Sequence, residues 1–206
     1  KMKSIITQNS KLKKTSKELG LRVFNFGITA YKTSKGKITC PFADACIKFC
    51  YAKKGAYIWS NVAKVFEQRY ELTKQKDFKE IMKNEIIKKK VDFLRVHDSG
   101  DFYSNKYFLD WMQIAKSLPN VKFYAYTNSI SIVKNNKDSI PQNFDFIFSD
   151  SGKQVNLIDK NKDRHTKIFK NEIELKNEGY IDASKIDLFA SKYINPNNNK
   201  VGLIYH

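Results

Sequence analysis

The chain has 206 residues, carries 38 basic against 21 acidic residues for a net charge of +17, and is 41% hydrophobic with 14% aromatic residues. That length suits a single domain over 1–206 with a real core, and the composition excludes wholesale disorder. No apolar run approaches the ~18 residues of a membrane span, and the first residues lack the long apolar stretch of a secretory signal, so a cytoplasmic protein with no membrane partner is expected.

The stretch 23–30, with Val23, Phe24, Phe26 and Ile28 among polar positions, predicts a first strand. A cysteine-bearing loop follows it. Residues 60–73 keep Val62, Val65, Phe66, Tyr70 and Leu72 near helical spacing. A second helix is predicted over 77–90, with Asp77 as N-cap and Glu80 completing a capping box. Its closing Lys88, Lys89 and Lys90 complement the helix dipole, a plainer account of that triplet than a nucleic-acid patch. Residues 91–97 predict a strand that runs into Asp98, Ser99, Gly100 and Asp101. A helix over 105–118, ended by Pro119, leads to a strand over 121–126 and then Thr127, Asn128 and Ser129. A short helix over 130–135 and a strand over 144–149 follow, the latter ending in Asp150, Ser151 and Gly152. The charged stretch 159–176 predicts a helix over about 167–176, with Gly179 as terminator, and 201–206 a final strand. Strand, loop and helix alternate as βα units do, so the expected fold class is α/β with a parallel sheet. At this length, five or six units would make a partial, incomplete TIM-like barrel.

The three cysteines, Cys40, Cys46 and Cys50, lie within eleven residues of one another. An odd number in one cluster argues against a disulfide framework and for one soft metal centre. Three thiolates leave one position open. In a [4Fe–4S] cluster that position is an iron free to bind a small molecule. For zinc, a histidine such as His97, His165 or His206, or water, would complete the set. The intervals of five and three residues contain no pair separated by two, the usual spacing of structural zinc, which favours iron–sulfur. His165 and His206 have no partner evident in sequence and read as structural or surface groups.

In parallel βα folds, ligands bind at the carboxyl ends of the strands. The cysteine loop, 97–101, 127–129 and 150–152 all fall there. This convergence points to an enzyme or a cofactor binder, although Asp, Ser and Gly are also ordinary turn residues. The charge is uneven, with 23 basic and 9 acidic residues in 1–100 against 15 and 12 in the remainder. That half also holds the cysteines, and its positive rim suits a nucleic-acid or phosphorylated partner. The 34 lysines, four arginines and 18 asparagines also fit an AT-rich coding bias, and arginine, the better phosphate fork, is scarce.

A thiolate triad after the first strand, with aromatic Phe49 before the last cysteine, resembles the cluster loop of radical S-adenosylmethionine enzymes, although theirs has intervals of three and two. Ser99, Gly100 and Asp101 stand where that superfamily holds the amino group of S-adenosylmethionine. More closely, four stretches resemble a phage and plasmid family known as gene product eighty-eight. They are Asn9 to Leu12, Thr39 to Ala52, Arg95 to Ser104, and Phe123 to Ser129. The chain departs from that family in lacking cysteines after Cys50. The resemblance implies a barrel-like fold in the host cell of a phage or plasmid, and no particular reaction.

On the radical S-adenosylmethionine reading, Cys40, Cys46 and Cys50 would ligate three irons, and the open iron would take the amino and carboxylate groups of S-adenosylmethionine. A reductant would be a partner. Asp101 would accept from the ammonium, the backbone at Ser99 and Gly100 would allow close approach, and Tyr126, Thr127, Asn128 and Ser149 would line the pocket. The competing class is a nucleic-acid-binding protein or nuclease with a structural zinc or iron–sulfur staple. There His97, Asp98 and Asp101 would hold a divalent metal for phosphodiester hydrolysis, and Tyr57 and Trp59 would stack on bases.

Overall fold

Seven strands form one sheet in the order β1-β2-β3-β4-β5-β7-β6, every pairing parallel. The computed structural model describes residues 4–50 and 59–204, without the side chains of Cys46 and Phe49. The strands are β1 (Val23–Phe26), β2 (Phe93–Val96), β3 (Lys122–Thr127), β4 (Phe144–Phe148), β5 (His165–Phe169), β6 (Ile181–Asp182) and β7 (Lys200–Ile204). The helices are α1 (Ser10–Leu19), α2 (Cys46–Phe49), α3 (Ser60–Leu72), α4 (Phe78–Lys88), α5 (Asn105–Ser117), α6 (Ile130–Asn135) and α7 (Glu172–Asn177). The sheet curls without closing, an open half-barrel that matches the expected partial TIM-like barrel.

Both faces of the central strands are covered, which is why β2 is buried at all four positions. On the outer face Leu94, Val96, Phe123, Ala125 and Phe144 pack against Phe78, Met82, Phe108 and Trp111 of α4 and α5. The inner face carries Val23, Phe93, Tyr124, Ile147 and Val201, covered by Leu12 of α1 and by Leu188 and Ala190 of the 3-10 turn Asp187–Ala190.

Several sequence expectations are corrected. α1 and β6 were not anticipated. The helix placed at 167–176 begins only at Glu172, because 165–169 pairs with 200–204 as β5 and β7. The first strand ends at Phe26, where backbone pairing passes to loop contacts such as Ile28 N–H to Ser99 O at 3.0 Å. Asp77 precedes α4 but caps nothing through its side chain. Its backbone is not extended, and a preceding turn donates Phe78 N–H to Gln75 O. No described helix is long and apolar enough to cross a membrane.

Candidate functional site at the carboxyl ends of the strands

Asp101 is the knot of this region. Its carboxylate accepts from Thr127 Oγ1 (2.6 Å), from the Asn128 amide (2.8 Å) and from the Phe102 amide (2.8 Å). Its own amide donates to Thr39 O at 3.0 Å. One residue therefore ties the ends of β2 and β3 to the start of the cysteine loop. The partners are neutral donors, and burial dominates: the carboxyl is pushed up to about 6, with the Thr127 hydroxyl and the amides pulling the other way. Three of roughly four acceptor positions on the carboxylate are already taken by this chain.

The cysteine loop is pinned over the same strand ends. Thr39 donates its hydroxyl to Thr29 O at 2.6 Å and its amide to Tyr31 O at 2.8 Å. Farther along, Ala43 bridges Gly152, and Lys153 N–H reaches Phe42 O at 2.8 Å. A Cβ at Gly152 would come within 2.4 Å of Asn128 Oδ1 and 2.7 Å of Phe42 O, so only glycine lets these three segments meet. Gly100 has φ +79° and no room for a Cβ beside Ile28, which fixes glycine in the turn after β2.

Cys40 is half-buried, and its Sγ accepts from the Tyr31 amide at 3.4 Å. Burial pushes its thiol up to about 12, Asp101 adds to this, the Tyr31 amide opposes it, and Cys50 contributes a further rise. Cys40 and Cys50 are both half-buried, and Cys40 lies close enough to Asp101 and Cys50 for their charges to act on its thiol. A thiol raised this far keeps its proton at neutral pH. Cys40 and Cys50 are soft donors of the type that thiolate-held centres use. The Cys46 side chain lies outside the described part, as do Tyr57 and His206.

His97, Asp98 and Asp101 are adjacent in sequence but face different partners. The His97 ring lies against Phe102 and Tyr107 on the helix-covered side, with Nε2 hydrogen-bonded to Tyr107 Oη at 2.8 Å. Burial, with Arg95 adding, depresses His97 to about 3, so it stays neutral. Its backbone is left-handed at φ 68°, uncommon outside glycine, which turns the chain sharply out of β2. Asp98 is buried, with its carboxyl packed against Gly27. Among the described residues, no three His, Cys, Asp or Glu side chains are placed to hold a metal ion.

Of the remaining expected residues, Thr127 and Ser99 are buried in the knot region, the latter accepting from Ile28 N–H. Ser149 donates its amide to Thr127 O at 2.9 Å, while Tyr126 and Asn128 are half-buried. Trp59 is exposed. His165 is consumed structurally, Nδ1 with Asp163 O and Nε2 with Tyr180 Oη. A cleft of about 470 Å³ between the 33–35 turn and α3, lined by Lys35, Lys64, Glu67 and Glu71 among others, contains none of these residues.

Sequence reasoning missed a second buried polar centre, on the inner face. Asp187 Oδ1 accepts from Arg95 Nη1 (2.9 Å) and Lys11 Nζ (3.0 Å), and Oδ2 accepts from Tyr124 Oη (2.7 Å). Arg95 also lies over the Tyr126 ring, 4.8 Å from its centroid. Burial opposes ionisation of Asp187, but Arg95 and Lys11 outweigh it and hold the carboxyl below its ordinary range. A buried arginine in an apolar strand, Phe93-Leu94-Arg95-Val96, was the available signal.

A family model described as "Gene product 88" matches residues 3–205 of the chain. The "Gene 88 protein" of Mycobacterium phage L5 is 33% identical over 101 residues, covering 43% of this chain and 42% of that protein. The "Gene 88 protein" of Mycobacterium phage D29 is 31% identical over 101 residues, with the same coverage. The match therefore spans less than half the length of these curated relatives. No solved structure matches the chain.

Proposed function

The chain belongs to the gene product 88 family, and on that premise we propose that it is a metal-centre protein whose Cys40, Cys46 and Cys50 hold a [4Fe–4S] cluster with one open iron at the mouth of the half-barrel. The observation that carries this reading is the clamping of the cysteine loop over the strand ends, through Thr39 O to Asp101 and through Ala43 to Gly152. That clamp sets soft donors beside the polar groups of three strand ends, where parallel βα folds bind ligands. When bound, such a centre supplies one-electron chemistry, with S-adenosylmethionine as the proposed ligand of the open iron.

The chain's own residues then have separable roles. Asp101 is a positioning residue, since Thr127, Asn128 and Phe102 already occupy its carboxylate. Contacts to a bound ligand fall to half-buried Tyr126 and Asn128 and to Ser149. The Tyr31 amide, already aimed at Cys40 Sγ, supplies a hydrogen bond of the kind that tunes cluster potential. His97, neutral and enclosed, braces the turn that presents Asp98 to Asp101.

Anaerobic reconstitution with iron and sulfide tests the reading. The wild-type chain is expected to develop cluster absorbance that a Cys46→Ala variant lacks. Purification with stoichiometric zinc and no uptake of iron would overturn it.

A further inference from the structure

Charge is concentrated on the segment that leads into and out of the cysteine loop. Residues 31–66 hold seven lysines against one acid, Asp44, where the whole chain has 38 basic residues against 21 acidic. Three of these lysines sit on a folded turn. Lys32 bridges Ile38, the Thr33 amide donates to Lys37 O (2.9 Å), and the Lys37 amide donates to Thr33 Oγ1 (3.0 Å). Lys32, Lys35 and Lys37 are all exposed. The turn is fastened to α3, because Glu67 accepts from the Ser34 amide with one oxygen and from its hydroxyl, at 2.9 Å, with the other.

The cleft of about 470 Å³ lies between this turn and α3, with Lys35 and Lys64 among its lining residues. Its two carboxylates are already engaged, Glu67 by Ser34 and Glu71 by Lys74 at 2.6 Å. Among the described residues, Lys32, Lys35, Lys37 and Lys64 have no carboxylate within ion-pair distance. Trp59 stands immediately before α3 and is 66% exposed, whereas Trp111, the other tryptophan, is 0% exposed. Lys64 follows Trp59 by about a turn and a half of helix. A large aromatic left in water beside uncommitted lysines is the combination that binds single strands, since cations track the backbone and bases stack on the ring. A duplex fits less well. Base edges are read chiefly by arginine forks, and Arg69, Arg95 and Arg164 are spent inside the fold on Ser4 O, Asp187 and Asp145.

We propose that the 32–38 turn and the start of α3 form a docking surface for single-stranded nucleic acid, with Lys35 and Lys64 meeting phosphates and Trp59 stacking on a base. The turn runs directly into Thr39 and Cys40, so a strand held here passes beside the cysteine loop. The binding itself does not rest on the cluster reading.

The test is fluorescence anisotropy of a labelled oligothymidylate about 16 nucleotides long, titrated with the full chain before and after anaerobic iron loading. Saturable binding is expected, with an affinity that falls steeply between about 50 and about 200 mM salt. Tryptophan emission should be quenched on binding, and only Trp59 is exposed to a stacked base. The double variant Lys35→Gln, Lys64→Gln should bind about tenfold more weakly, and its slope of log affinity against log salt should fall by about 1.4, the share of two phosphate contacts. Trp59→Ala should cost about fivefold or more, the low end for one stacked base. Lys88→Gln with Lys116→Gln is the control, because it removes the same charge from exposed positions on α4 and α5. Its affinity should stay within about twofold of the wild type. Equal weakening by the two lysine pairs would reduce the binding to net charge and overturn the proposal. Unquenched emission at saturation, or binding as tight to a duplex of the same length, would also overturn it. Unchanged oligonucleotide binding in a chain that never takes up iron would support this surface while removing the cluster reading beside it.

Discussion

Two buried aspartates organise two regions of this molecule by opposite means. Asp101, at the strand ends, is held by a hydroxyl and two amides, and its carboxyl rises to about 6. Asp187, on the inner face, is held by Arg95, Lys11 and Tyr124, and its carboxyl is lowered although its burial is complete. Burial acts on both in the same direction, and the charge of the partners decides the outcome. The first region is a net of directional bonds that positions loops. The second is an ionic anchor that fastens α1 and the C-terminal 3-10 turn to the sheet.

The contrast predicts unequal costs of removal. Asp187→Ala strands two cations, one of them buried, and is expected to destabilise the fold by about 3–5 kcal/mol. Asp101→Asn strands no charge. It turns an amide group toward the Asn128 N–H and should cost about 1–3 kcal/mol, the usual penalty of an unmet buried hydrogen bond. Urea unfolding of the two variants ranks them. An Asp101→Asn loss as large as that of Asp187→Ala would mean that the distinction between anchor and net is wrong.

A second effect, of intermediate size, belongs to His97. Its pKa is about 3 in the fold, depressed first by burial and then by Arg95, against an ordinary value of 6.5. A depressed histidine contributes stability that is fully present above pH 6.5 and is lost as pH falls toward 3. At pH 5 the loss amounts to about 2 kcal/mol. His97→Asn removes the titration, and asparagine tolerates the left-handed backbone at this position. Its stability between pH 7 and pH 5 should be flatter than that of the wild type by that amount. Parallel curves would show that the ring is solvated in the fold.

The two regions also differed in how far sequence could reveal them. Asp101, Thr127 and Asn128 lie just after largely apolar strands, so apolar runs breaking into polar turn residues exposed them. Asp187 did not stand out, because its partners are far away in the chain. Arg95 is 92 residues distant, and Thr15, whose Oγ1 accepts the Asp187 amide, is 172 residues distant. α1 was hidden for a related reason. Its buried residues are only Leu12 and Thr15, set among lysines, so it reads as a solvated charged stretch until the sheet face it covers is known. β5 was misread because Lys167 and Ile168 are not buried, which leaves a charged, interrupted pattern where a buried parallel strand would show a continuous apolar one. The cysteine cluster was plain from spacing, but its attachment to the loop after β4 through Gly152 was not.

That attachment supplies the smallest expected effect and the finest test of the strand-end net. Gly152→Ala puts a methyl group 2.4 Å from Asn128 Oδ1 and 2.7 Å from Phe42 O, and the second of these is backbone that cannot rotate away. The cysteine loop must therefore lift from the strand ends. The Ala43–Gly152 bridge is isolated and the sheet beneath it is untouched, so global stability should fall by only about 1 kcal/mol, the low end for overpacking. On the proposed cluster reading, iron uptake on reconstitution should fall much more, because Phe42 and Ala43 lie between Cys40 and Cys46 in the loop that this contact holds down. A variant that loses stability but loads iron normally would show that the Gly152 contact only trims the fold. Normal stability with lost iron would place the cysteine loop, rather than the sheet, under the control of this one contact.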